Sequence, residues 1–170
     1  MRRGLLIGRS VLLLLLIAAT AWALDRWTVL PLRCSHAASV GAADLDNASD
    51  TADYRPEALA RRINASLEGC NCVSPPDARI CFVRGAVAQG GGDLTSAIAD
   101  YRNALEIDRR PEIYLHLGLA QLQTSDRSTG LENLVRACAF DPSRLGAIGE
   151  SLRREIKASI RARYGPGWIR

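Results

Sequence analysis

Ala97-Ile98-Ala99-Asp100-Tyr101-Arg102-Asn103-Ala104-Leu105-Glu106-Ile107-Asp108 is the stretch on which the fold turns. Ala97, Ile98, Tyr101, Ala104 and Leu105 recur at the three- and four-residue spacing that marks one face of an α-helix. The same size classes return 33 residues later: Gly130 for Ala97, Leu131 for Ile98, Leu134 for Tyr101, Ala137 for Ala104, Phe140 for Ile107 and Asp141 for Asp108. Gly85 and Gly118 stand at the same offset upstream of these two stretches. Small side chains at Gly85 and Gly118 let a second helix approach closely, and Ala97, Ala104, Gly130 and Ala137 do the same from the partner helix. Tyr101 and Leu134 then fill the space between neighbouring pairs. The pattern predicts an all-α protein built from stacked antiparallel helical hairpins.

With these residues in hand, the chain resembles the tetratricopeptide repeat (TPR) family, whose period is about 34 residues. The better match is Pro111 to Arg144, where Tyr114, Leu117-Gly118, Gly130, Leu134, Ala137 and Asp141-Pro142 occupy the family's aromatic, Leu-Gly, small, bulky, small and terminal Pro positions. In the preceding unit, about 79–110, Cys81 replaces the aromatic, Arg84 the leucine before Gly85, and Arg109 the proline. Either the first helix of that unit is irregular or a disulfide substitutes there for packing. The resemblance implies a concave groove lined by the first helix of each hairpin, which here means Arg79, Phe82, Gln89, Glu112, Leu115, Leu119 and Gln123. In that expectation Leu115 and Leu119 bury apolar anchors of a partner segment, while Arg79 and Glu112 set polarity and register.

Two hairpins bury too little on their own, so flanking caps are expected. Upstream, Pro56 stands as a first helical residue ahead of Leu59, Ile63 and Leu67 on one face. Downstream, Leu145, Ile148, Leu152, Ile156 and Ile160 form a stripe, and the basic residues of 144–170 lie elsewhere on that helix. The helical domain is thus placed at 55–164, with an aromatic tail over 165–170.

Arg2, Arg3 and Arg9 precede an uncharged run from Ser10 to Leu24. Residues 1–32 are read as a signal peptide, with Ala21-Trp22-Ala23 as the cleavage site, or as an uncleaved membrane anchor. Both readings send the rest of the chain out of the cytoplasm. They give an inner-membrane-anchored protein with a periplasmic domain, or a soluble periplasmic one after cleavage. Residues 33–54, rich in Ala, Ser, Asp and Asn, are read as a flexible acidic linker.

In an oxidising compartment five cysteines point to disulfides. The expected staple is Cys72 to Cys81 or Cys70 to Cys81, worth roughly 2–3 kcal/mol by loop closure, with Cys34 or Cys138 left unpaired. A metal or redox site of Cys70, Cys72 and Cys81 with His36 or His116 is disfavoured, because the cluster lacks the paired ligand spacing of zinc sites and no C-x-x-C occurs. No metal and no cofactor are expected.

The net charge of +4 sits mostly on the three leading arginines. Residues 25–170 carry 19 basic and 18 acidic side chains, which argues against nucleic acid. Lys157 is the one lysine among 22 basic residues, the codon bias of a GC-rich bacterial genome. Catalytic motifs are missing, Gly90-Gly91-Gly92 reads as a loop between paired helices, and His116 reads as a helix-surface residue. The sequence therefore predicts a non-enzymatic adaptor or scaffold of the cell envelope whose partner is another protein or peptide segment. A thiol-bearing periplasmic assembly factor and a structural subunit of an envelope complex are the other readings.

Overall fold

A computed structural model describes residues 14–48, 56–74, 76–165 and 167–168. All of its regular elements are helical. The first, α1, covers 14–48 without a break, passing through a π-helical turn at Asp25–Val29 into α-helical Leu30–Ala48. It is followed by α2 (Pro56–Ser66), α3 (Ala78–Gly90), α4 (Leu94–Ile107), α5 (Pro111–Leu122), α6 (Arg127–Phe140), a 3₁₀ segment (Pro142–Ala147) and α7 (Glu150–Tyr164).

The repeat is visible in the helix boundaries: α3 and α5 start at Ala78 and Pro111, and α4 and α6 at Leu94 and Arg127. Local chemistry sets these starts. The Asp77 carboxylate accepts the Arg79 N–H at 3.0 Å, Asp93 accepts the Ser96 N–H at 3.1 Å, and Pro111 occupies the first turn of α5. Between α3 and α4, Gly92 adopts φ +83°, which a residue with a Cβ reaches only with strain.

The expected close crossings are present in both hairpins. A Cβ on Gly85 would lie 2.8 Å from ring atoms of Tyr101, and one on Gly118 would lie 2.8 Å from both the Gly130 carbonyl oxygen and Leu134 Cγ. Backbone cannot yield as a side-chain tip can, so Gly118→Val should destabilise by about 1–3 kcal/mol through overpacking. Gly90→Ala, at a site open to 4 Å, should leave the midpoint unchanged or raised; urea unfolding of the two variants compares them.

Two clusters make up the core. Ile63, Leu67, Ile80, Val83, Tyr101 and Ile113 belong to the first, together with Cys34 and Ala38 of α1. Leu134, Val135, Leu145, Ile148, Ile156 and Ile160 form the second, so α2 and α7 cap the array, but the downstream stripe is not one helix: Leu145 lies in the 3₁₀ segment and Ile148 in the extended turn before α7. Beyond α7, Trp168 stacks on Tyr164 at 5.3 Å and its Nε1 donates to the Ala139 carbonyl at 3.2 Å, which ties the expected tail back to α6.

The linker reading is overturned over most of its length. Residues 33–48 are helical and packed, while 49–54 lie outside the described residues. The reason is the size of the side chains. Ala38 is fully buried, and a Cβ on Gly41 would lie 3.0 Å from Val83 and 3.4 Å from Ile63. Few large apolar groups are needed where small ones let backbones meet. An ion pair of 2.8 Å from Arg62 on α2 to Asp44 adds to the contact. The folded domain therefore begins on α1, well ahead of residue 55.

Candidate interaction surface

The cysteines fix how α1 meets the hairpins. Cys34 on α1 is bonded to Cys70, and Cys72 to Cys81 on α3. The second pair is one of the two expected; the first corrects the reading of Cys34 as an unpaired thiol and of Cys70 as a partner of Cys81. Cys34 is 36 residues from its partner, and only the packing of α1 brings the two together. Cys81 is fully buried where the TPR pattern has an aromatic, so its disulfide occupies that position. Cys138 stays free and buried, and burial together with nearby Asp141 pushes its thiol up to about 11. No reactive thiolate is available at neutral pH.

The groove residues fall into three groups. Arg79 is committed to the chain itself: its guanidinium donates to Asp77 at 3.0 and 3.1 Å and to Ser39 Oγ at 3.0 Å, and it also bonds Ser35 of α1. Burial opposes ionisation of Asp77, but the bonds from Arg79 outweigh it and hold the carboxyl below its usual range. Phe82 and Gln89 face inward. The Phe82 ring meets His116 edge-on at 5.1 Å and Tyr101 at 5.8 Å, and Gln89 Oε1 accepts the Tyr101 hydroxyl at 2.9 Å. Leu115 is buried at 4% exposure in the second core cluster. An anchor site there is corrected, because the side chain already packs with the chain's own helices. Glu112 and Leu119 are half-buried and Gln123 is exposed, so these three mark the part of the face still open to a partner.

His116 is likewise corrected from a surface residue to a half-buried one, packed between Phe82 and Tyr101. Burial lowers its pKa against the opposing pull of Glu112 and Asp46. Asp100 is also buried and paired with Arg84 at 3.4 Å; desolvation raises its pKa more than Arg84 lowers it. Asp100 lies on α4 and His116 on α5. Among the described residues no cluster of His, Cys, Asp or Glu is arranged to hold a metal.

Sequence reasoning missed the α1 contact. Its signal was nonetheless present in Cys34, Ala38, Gly41, Ala42 and Leu45, a stripe at helical spacing made almost wholly of small residues. The stripe leaves exposed the part of α1 that leads to it: Trp22, Leu24, Trp27, Val29 and Leu32 all face outward. Leu14–Asn47 includes a stretch long and apolar enough to cross a membrane, a property that signal sequences share. A cavity of about 590 Å³ lies where this helix meets the loop carrying Cys70 and Cys72, and another of about 420 Å³ lies between α1, α2 and the end of α3. No family model, curated protein or solved structure matches the chain.

Proposed function

We propose that the protein is a membrane-anchored adaptor on the outer side of the inner membrane, with a short TPR-like array that binds a segment of another protein. The observation that carries this reading is the recurrence of one close-packed hairpin, Gly85 under Tyr101 and Gly118 against Gly130 and Leu134, at the end of an unbroken apolar helix. Stacked hairpins of this kind serve as interaction scaffolds because successive units build a continuous face. The two disulfides fit an oxidising compartment. The open part of the face, Glu112 and Leu119 on α5 and Gln123 just after it, is small, so binding is weak or depends on several contacts at once.

The thiol-transfer alternative lacks an exposed thiol to act through, since Cys138 is buried and the other four cysteines are bonded. In the native envelope, a photo-crosslinking residue at position 123 should give one discrete protein adduct. Glu112→Arg should abolish it, and a crosslinker at exposed Arg102 on α4 should not give it. Equal adducts from 123 and 102, or none from 123, would remove the groove reading.

A further inference from the structure

The cavity at the foot of α1 has features that its packing role leaves unused. Its walls come from two elements that the Cys34–Cys70 bond holds side by side: the helix face bearing Arg26, Trp27 and Leu30, and the loop bearing Ser74 and Pro76. Its volume of about 590 Å³ falls in the range of small-molecule sites, about 300–1,000 Å³. Trp27 and Leu32 line it yet are 77% and 71% exposed, a costly arrangement in water for two large apolar side chains on one helix. Asp77 also lines it, but its charge is taken up by Arg79 at 3.0 Å, so Arg26 contributes a cation without a rival anion in the wall.

The position of the cavity along α1 identifies what fits. Residues 14–24 immediately before it are helical and outward-facing, and belong to the stretch able to cross a bilayer. Trp22 and Trp27 stand exposed on neighbouring turns of this part of α1, and tryptophan collects at membrane interfaces, which sets the cavity at the outer end of a span. The mouth of the cavity then opens at headgroup level, its apolar wall continuous with the hydrocarbon and Arg26 at the phosphate layer.

Resting on the anchored reading proposed above, we infer that this cavity holds one phospholipid of the surrounding leaflet, its phosphate against Arg26 and its upper acyl chain against Trp27, Leu30 and Leu32. The disulfide-closed loop forms the outer wall of the site.

The full chain, reconstituted in nanodiscs of phosphatidylcholine and phosphatidylglycerol and then transferred to mild detergent, should retain one phospholipid per molecule by native mass spectrometry. Arg26→Gln should reduce that retention about tenfold, the effect of one charge-assisted hydrogen bond. Ser74→Trp, which fills the cavity from an exposed loop position, should abolish it, while Trp168→Ala at the far end of the molecule should leave it unchanged. If wild type and Ser74→Trp retain lipid equally, or if the wild type floats with the lipid but retains none, the site is refuted and the anchor stands. A lipid-free dimer also refutes it. A chain that stays out of the bilayer altogether overturns the anchor and the site together.

Discussion

Tyr101→Ala should remove about 3–5 kcal/mol of stability, the cost of emptying a large buried aromatic site. Tyr101 is fully buried, and its ring occupies the space that the missing Cβ of Gly85 leaves. It also touches two other rings, Phe82 of the same hairpin at 5.8 Å and His116 of the next at 5.9 Å. Truncation therefore loosens α3, α4 and α5 together, and α6 cannot collapse into the gap because Gly118 and Gly130 already hold it against α5 at backbone contact. Domains are stable by only about 5–15 kcal/mol. The variant should accordingly unfold at a urea midpoint lower by about 1–3 M, given typical denaturant slopes. Tyr101→Phe keeps the ring and loses only the bond to Gln89, so its cost should be about 1 kcal/mol. If the alanine variant is no worse than the phenylalanine one, Tyr101 is not the filler between hairpins.

The second large effect belongs to the Cys34–Cys70 bond. It closes a loop of 36 residues, for which the chain-entropy relation gives about 4 kcal/mol, against about 2.5 kcal/mol for the nine-residue separation of Cys72 and Cys81. Cys34→Ser with Cys70→Ser should thus cost more than Cys72→Ala with Cys81→Ala. In the first variant amide exchange should accelerate along 34–48, where small side chains hold α1 against α2 and α3 with little apolar area. Exchange in α5 and α6 should change less, because α1 packs chiefly on α2 and α3. Proteolysis of the unreduced chain should yield a peptide joining Cys34 to Cys70, and a Cys70–Cys81 peptide in its place would contradict the packing of α1.

The hairpins were legible because side-chain volume itself is periodic: Gly85 and Tyr101 repeat as Gly118 and Leu134, and such a match reports mutual packing whatever the surroundings. The caps followed from their stripes of Ile and Leu, which bury as their spacing predicts. Along α1 the same logic failed. Composition counts large apolar groups, whereas Ala38 and Gly41 bind by letting a neighbouring backbone come near. The partner of Cys34 was not legible for a related reason, since connectivity depends on which elements meet and no local spacing encodes that. Leu115 and His116 were misplaced because their neighbours come from other hairpins and from the C-terminal cluster. A helix face that stays open in a long array closes when the chain has only two units and its own caps beside it.

In the anchored reading, the unbroken course of α1 from apolar stretch to core also bears on how a partner would find this protein. The helix continues over the 19 residues Leu30–Ala48, packed along the domain from Cys34 on, and the Cys34–Cys70 bond removes the swivel that a coil would allow. An anchored α1 would therefore hold the domain at one height and one bearing. A partner embedded in the same bilayer would meet it after a search in two dimensions and at a preset angle. Part of the orientational entropy that association ordinarily forfeits would then already be spent during folding.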